Sequence, residues 1–350
     1  MKLWDKGGSS DEQMDRFTVG NDRQLDQVLA KYDLIASRAH AEMLGKIGIL
    51  DSKETSSILE ELDRMLQEAE KGNFPIDPPF EDMHSKIEFE LTQRVGEAGK
   101  KIHTARSRND QVLVALQLYL KDELRGFQQQ VQNLFDLLLQ LADTHKEVML
   151  PGYTHLQIAM PSSFGLWFSA YAESFVDDVH LLHAAFKVAD QNPLGSAAGY
   201  GSSFPIDRGL TTSLMGFHTQ KFNVVAAQMG RGKVERTTAM AMASVAGTLG
   251  KMAMDICLYL SQNFGFISFP EELTTGSSIM PHKKNPDLFE LIRAKCNVIQ
   301  GLPNQLSLLT TNLTSGYHRD LQLTKALLLP AIEELRACLD IAISSLGKIE

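Results

Sequence analysis

Residues 109–143, NDQVLVALQLYLKDELRGFQQQVQNLFDLLLQLAD, contain no proline and carry apolar side chains at three- and four-residue intervals. This spacing is typical of a helix, and about 35 residues of helix are about 50 Å long. Comparable patterns recur at about 161–188, 233–263, 287–309 and 321–348. Glycine- and proline-rich segments separate these stretches. We therefore predict an all-α protein with an elongated central bundle of five long helices.

In the first 105 residues the helical patterns are shorter and more charged than in the rest of the chain. One helix is predicted to begin at Asp51-Ser52-Lys53-Glu54, and a second to cover about 83–95. The predicted organisation is therefore a smaller helical N-terminal domain, residues 1–105, followed by the long-helix domain, residues 106–350.

Several of the long helical patterns are apolar on more than one face, as in residues 239–246. A helix that is apolar all round must be buried on all sides. A single five-helix unit would leave such surface uncovered. We therefore expect association with other copies of the chain.

Composition excludes several classes of function. The 350 residues carry a formal net charge of −9, which argues against general nucleic-acid binding. The three cysteines are widely spaced, so neither a disulfide framework nor a thiolate zinc site is expected. The N-terminus lacks an apolar signal segment, and Pro151, Gly152 and Pro161 interrupt the longest uncharged stretch. A soluble, cytoplasmic protein without a membrane span is expected.

The segment from Gly276 to Pro286, GSSIMPHKKNP, is bounded by glycine and proline and is almost devoid of apolar residues. We predict a loop here because the two prolines would interrupt a helix. Hydroxyl, ammonium and carboxamide groups concentrated on one loop suit a dicarboxylate that must be held while a proton is removed. We call residues 276–286 the signature loop.

Three other polar segments lie between the helical patterns: HTARSRNDQ (103–111), PGYTHLQ (151–157) and SGYHRDLQLTK (315–325). The first predicts either a helix cap or an anion site at a helix N-terminus. The lone His155 is either structural or a proton-transfer group. Gln322 and Lys325 share a helix face, so the third segment predicts either a surface cap or a binding site.

Together the four segments resemble the argininosuccinate lyase family of the fumarase/aspartase superfamily, in family order along nearly the whole chain. The signature loop alone identifies only the superfamily, and the other three segments narrow the resemblance to this family. The resemblance implies reversible cleavage of argininosuccinate to arginine and fumarate. It also implies a homotetramer whose active sites are each shared by three subunits, with no organic cofactor and no metal.

The resemblance also implies roles for individual residues. Ser277 is expected to act as the base and His155 as the acid, the reverse assignment being the alternative. Lys283 would stabilise the developing charge, and Glu290 would orient the histidine. The residues expected to bind substrate are Ser107, Arg108, Asn109, Thr154, Asn285, Tyr317, Gln322 and Lys325.

The chain departs from the family pattern at several places, beginning with the early Trp-Gly-Gly-Arg-Phe, which reads Trp4-Asp5-Lys6-Gly7-Gly8. A substrate-contacting serine expected near Phe17-Thr18-Val19-Gly20 is absent. The family's Ser-x-Arg-Asp-Phe element reads Met229-Gly230-Arg231-Gly232-Lys233 and keeps only the arginine. Family members continue into a small helical C-terminal domain, which is expected to be missing here.

Three alternative functions are compatible with parts of this pattern. Another fumarate-releasing enzyme of the superfamily, such as adenylosuccinate lyase, is disfavoured by the arginine-end segment 317–325. A structural protein like the eye-lens crystallins of this fold would tolerate loss of His155, Ser277 or Lys283, and all three are present. A helical scaffold would not depend on the signature loop.

Overall fold

The computed structural model describes residues 12–77, 80–276, 279–280 and 282–350. Its α-helices are α1 Glu12–Val19, α2 Asp22–Lys46, α3 Ser52–Glu70, α4 Met83–Val95, α5 Glu97–Lys100, α6 Arg108–Thr144, α7 Phe164–Ala189, α8 Arg208–Leu214, α9 Val224–Met229, α10 Lys233–Leu260, α11 Asp287–Gln300, α12 Leu302–Leu309 and α13 Leu323–Leu346. Its strands are β1 Met149–Thr154, β2 Gln157–Ser163, β3 Gln191–Asn192 and β4 Thr219–Gln220. The predicted all-α class is confirmed.

The chain folds into two compact units, which we call unit 1 and unit 2. Unit 1 contains the described part of 1–122 together with 187–235 and 306–329. Unit 2 contains 123–186, 236–305 and 330–350. This division does not test the domain boundary near residue 105, which stays a prediction.

Helix α3 begins as its sequence predicts. The Asp51 carboxylate accepts a hydrogen bond from the Glu54 backbone N–H at 2.8 Å, and the Glu54 carboxylate accepts one from the Asp51 N–H at 3.1 Å. This reciprocal pair satisfies two backbone donors that a helix start leaves free. The buried face of the helix carries Ile58, Leu62 and Met65, which stand three or four residues apart.

The long periodic patterns correspond to α6, α7, α10 and α13, whereas the pattern over 287–309 is divided. Helix α11 ends at Gln300, and α12 begins after Gly301. Pro303 explains the break, because proline lacks an N–H and its ring clashes with the carbonyl four residues earlier. Apolar periodicity continues across this break, so periodicity alone did not reveal it.

Segment 151–157 forms part of a β-hairpin, which the sequence analysis did not predict. Strands β1 and β2 pair antiparallel, with Thr154 opposite Gln157. The two turn residues, His155 and Leu156, have φ angles of 56° and 58°. Two-residue hairpin turns commonly need such left-handed angles, but Asn-Gly is the usual sequence for them. The turn signal was therefore absent from the sequence.

Helix α10 is, within the described ranges, the one helix long and apolar enough to cross a membrane by length and composition. Half of its most apolar window is buried inside the protein. The core helix of a soluble protein passes the same test, so α10 is weak evidence for a membrane span.

Candidate active site

One cavity in unit 1 collects five of the residues predicted to bind substrate. It has a volume of about 270 Å³, and its wall includes Arg108, Asn109, Tyr317, Gln322 and Lys325. These residues come from two segments that lie about two hundred positions apart in the sequence, at the start of α6 and around the start of α13. The cavity volume is close to the lower end of the range for small-molecule sites.

The N-terminus of α6 forms one side of this cavity. The Ser107 hydroxyl accepts a hydrogen bond from the Asn109 N–H at 3.3 Å, and Asp110 accepts one from the Ser107 N–H at 2.9 Å. Ser107 and Asp110 therefore cap the helix. The Asn109 side chain lines the cavity, where its amide donates to the Ala198 carbonyl at 3.5 Å. Capping and binding are thus divided between neighbouring residues of one segment.

Asp110 also holds the glycine-rich loop that follows β3. Its second carboxylate oxygen accepts from the backbone N–H groups of Gly195 and Ala197, at 3.0 and 2.8 Å. Gly195 has a φ of 90°, which favours glycine. Burial raises the pKa of Asp110 to about 6, although these hydrogen bonds favour the charged form.

Arg108 belongs to a buried ionic cluster on the same wall. Its guanidinium lies 3.1 Å from the Asp82 carboxylate and donates to the Ser85 hydroxyl at 2.8 Å. His84 contacts the Asp33 carboxylate at 3.1 Å. Burial alone would lower the pKa of His84, but Asp33 and other nearby carboxylates raise it above its usual value. The surrounding carboxylates therefore shift the His84 equilibrium toward the protonated form.

Lys325 lies between two carboxylates of α2. Its ammonium nitrogen is 2.6 Å from the Asp26 carboxylate and 3.0 Å from that of Asp22. Its side chain is only 3% exposed. Burial lowers the pKa of Lys325, but the two carboxylates more than offset this effect and raise it. Lys325 is therefore a charged, anchored group.

Gln322 and Tyr317 complete this wall. The Gln322 amide donates to the Thr18 carbonyl at 2.9 Å and accepts from Arg319 at 3.2 Å. The Tyr317 ring has the Arg231 guanidinium 5.6 Å from its centroid. Both groups of the Gln322 amide are thus engaged, which fixes its orientation.

In unit 2, Thr154 and His155 lie at the tip of the β1–β2 hairpin, and both are exposed. A left-handed φ is uncommon for a residue other than glycine, and such strain tends to occur at functional sites. His155 is therefore an exposed imidazole in the two-residue turn of the hairpin. This placement suits a proton-transfer group that acts on something outside its own fold.

The signature loop, also in unit 2, is closed at its base by two backbone hydrogen bonds between Thr275 and Asn285, at 2.9 and 3.3 Å. The Asn285 amide donates to the Thr275 hydroxyl at 3.3 Å. Lys283 is exposed on the loop. Ser277 lies outside the described residues. The observed base orders Asn285, so its side chain has a defined position.

Glu290 lies in the first turn of α11, directly after the signature loop. It is 3.8 Å from Arg293 and lines a second cavity of about 350 Å³ together with His282 and Lys284. Across the described parts of the chain, no contact joins Glu290 to His155. The expected orienting contact is therefore not seen within one chain.

No group of three histidine, cysteine or carboxylate side chains that could hold a metal ion occurs among the described residues.

Comparison with known proteins gives a consistent result. A family model described as lyase matches residues 6–301. An argininosuccinate lyase from Phocaeicola vulgatus is 57% identical over 349 residues, which cover 100% of this chain and 78% of that protein. One from Parabacteroides distasonis is 56% identical over 97% of this chain and 76% of its own length. The chain belongs to the argininosuccinate lyase family.

The fold extends beyond this family. A class II fumarase from Schistosoma mansoni superposes with a TM-score of 0.81, although only 19% of residues are identical. The match covers 100% of this chain and 82% of the fumarase. At that identity the likeness shows only that this chain and that fumarase share a fold.

Asp22, Asp26 and Arg231 are among the cavity residues that the sequence analysis did not select. Asp22 and Asp26 are four residues apart on α2, a spacing that also occurs on ordinary solvated helix faces. Arg231 stands in a short glycine-flanked segment. Its resemblance to a family element was the one available signal, and it was too weak to assign a role.

Proposed function

We propose that this protein is an argininosuccinate lyase, which converts argininosuccinate into arginine and fumarate. Identity of 57% over the whole chain to a curated member carries this proposal. The cavity wall formed by Tyr317, Gln322 and Lys325 is consistent with it, because these residues, expected from the resemblance to hold the arginine end, line one cavity.

The proposed chemistry is a β-elimination. Ser277, as an alkoxide, takes a proton from the carbon next to one succinyl carboxylate. That carboxylate takes up the negative charge, which Lys283 stabilises electrostatically, while Asn285 binds a succinyl carboxylate. The carbon–nitrogen bond then breaks, and His155 protonates the departing guanidino nitrogen. The products are fumarate and arginine.

We further propose that the active site is assembled from several copies of the chain. Exposed apolar side chains on long helices of unit 2 support association: Met240, Met254, Leu291 and Val298 are 51%, 46%, 57% and 71% exposed. An uncovered apolar surface of this kind favours a partner. A homotetramer with sites shared by three subunits would bring His155 of one copy to Glu290 of another. It would also cover the exposed hairpin tip.

The same proposal places the enzyme in arginine biosynthesis in the cytoplasm. The substrate is a small molecule, and the chemistry as written requires neither a metal nor an organic cofactor. The net charge of −9 is consistent with a protein that does not bind nucleic acid.

The direct test of function is fumarate release, followed by ultraviolet absorbance, from argininosuccinate and from adenylosuccinate in parallel. We expect release from argininosuccinate alone, because the residues proposed to hold the arginine end line the cavity wall. Equal or faster release from adenylosuccinate would contradict the assignment. A longer version of the chain is the matched comparison.

Shared sites predict complementation between two inactive variants. Co-expressed Ser277→Ala and His155→Asn chains, each carrying a different affinity tag, should form mixed tetramers. If one site takes these residues from different subunits, random mixing leaves about a quarter of the sites with both native groups. We expect about a quarter of wild-type activity in doubly purified tetramers. Activity no higher than that of either variant alone would mean that one subunit supplies both groups.

A further inference from the structure

Arg231 is a buried cation with unused hydrogen-bond donors. The residue is 6% exposed and lies in the wall of the unit 1 cavity. One of its terminal nitrogens, Nη2, donates to the Leu321 carbonyl at 3.2 Å. Its Nε and Nη1 have no partner among the described residues. Such groups are rare in folded proteins because burying an unpaired donor is costly.

The acidic residues nearby do not satisfy these donors. Glu235 instead accepts from the Gly232 N–H at 2.6 Å and from the Thr324 hydroxyl at 3.2 Å. Within the cavity wall, Glu81 pairs with Arg319 at 3.2 Å, and Asp82 pairs with Arg108. An anion from a ligand is therefore the natural partner for Arg231.

Asp22, in the wall of the same cavity, is a largely buried anion whose charge is incompletely compensated. Its carboxylate is 3.0 Å from the Lys325 ammonium, and its side chain is 17% exposed. Burial nevertheless raises the pKa of Asp22, even though Lys325 lowers it. Lys325, which Asp22 shares with Asp26, and the Arg231 charge thus do not fully compensate the buried carboxylate. A second cation at Asp22 would stabilise its charged form.

We propose that Arg231 and Asp22 form a recognition pair for an α-amino acid, in which Arg231 binds the α-carboxylate and Asp22 binds the α-ammonium group. This inference rests on the proposed function. It assigns the arginine half of the substrate as the ligand of Arg231 and Asp22. The Arg231 charge acts on Asp22, which agrees with their common cavity. Asp22 also supplies a polar contact near Phe17–Gly20, where the family serine is absent.

Two analogues of arginine separate the two contacts. Agmatine lacks the α-carboxylate, and argininic acid has a hydroxyl in place of the α-ammonium group. Binding of L-arginine and of both analogues is measured by calorimetry on the assembled enzyme. The proteins are the wild type, Arg231→Gln and Asp22→Asn. Arg64→Gln and Asp63→Asn are controls, because both residues lie on the exposed side of α3.

Arg231→Gln should weaken L-arginine binding by about 10- to 100-fold and agmatine binding by less than about threefold, since a hydrogen bond to a charged group is lost only with the former. Asp22→Asn should weaken L-arginine and agmatine binding by about 10-fold or more but leave argininic acid within about threefold. The control variants should bind all three ligands as the wild type does.

Equal losses of L-arginine and agmatine binding in Arg231→Gln would overturn the proposal, because a merely structural role would affect both ligands. A selective loss of fumarate inhibition in the same variant would also overturn it, by assigning Arg231 to the succinyl half. If Arg231→Gln fails to fold, Arg231→Met provides the same comparison, because it also removes the charged donor and keeps much of the side-chain length. Wild-type enzyme that binds L-arginine selectively but releases no fumarate would contradict the lyase function while leaving the pair intact.

Discussion

Replacing Ser277 with alanine, or His155 with asparagine, is expected to lower kcat by at least about a hundredfold, the low end for proton-transfer groups. Alanine cannot accept the carbon-bound proton, and asparagine cannot protonate the leaving nitrogen. Steady-state fumarate release gives kcat, and size-exclusion chromatography reports assembly, which we expect to be unchanged.

Ser278→Ala and His218→Asn are the matched controls for these variants. Ser278 is the adjacent hydroxyl of the signature loop, and His218 is exposed in unit 1. Both should retain kcat within about threefold, because neither residue has a proposed role in proton transfer. Near-normal turnover in Ser277→Ala or His155→Asn would remove that residue from the mechanism.

Replacing Lys325 with methionine is expected to lower the free energy of unfolding by about 3–5 kcal/mol at neutral pH, the usual cost of removing one partner from a buried ion pair. The variant would leave Asp22 and Asp26 as neighbouring carboxylates without their shared cation. Denaturant unfolding at several pH values measures the change. Loss of arginine affinity should accompany it.

The stability deficit of the Lys325 variant should shrink as the pH falls toward the carboxylate range. Lys325 has a raised pKa in the folded protein, so its stabilising effect is fully present below its unfolded pKa and is lost only at high pH. In the variant, protonation of the aspartates at low pH removes the unpaired charge. A deficit independent of pH would indicate lost packing instead.

Lys46→Met and a compensating double variant complete the Lys325 experiment. Lys46 is 61% exposed and pairs with Asp207 at 3.5 Å, so its replacement should cost less than about 1 kcal/mol. Adding Asp26→Asn to Lys325→Met should recover part of the lost stability, because it removes one of the two carboxylates left without their cation. Failure to recover any would show that charge is not the cause.

Local features of the fold were predictable from the sequence because they depend on neighbouring residues. The apolar spacing of residues 109–143 predicted a helix that the structure places at Arg108–Thr144. The cap of α3 followed from Asp51 and Glu54. The hairpin turn at His155 was missed, since its left-handed angles occur without glycine or asparagine.

The candidate site was predictable only where a family segment marked it. Resemblance selected Tyr317, Gln322 and Lys325, and the structure places them on one cavity. It did not reveal that Lys325 pairs with Asp26, which stands 299 positions away in the chain. Such a pairing depends on how helices pack, and neither helical periodicity nor local charge encodes it.

The ionised wall of the unit 1 cavity has a consequence for ligand exchange. Its four carboxylates (Asp22, Asp26, Glu81 and Asp82) are matched by four Arg and Lys residues (Arg108, Arg231, Arg319 and Lys325), and the fifth basic residue, His84, pairs with Asp33. An incoming zwitterion therefore meets a surface whose charges already balance, and long-range attraction contributes little to its capture. Selectivity between ligands must then arise from short-range contacts. A ligand that lacks the α-carboxylate or the α-ammonium group cannot pair with Arg231 or with Asp22, respectively.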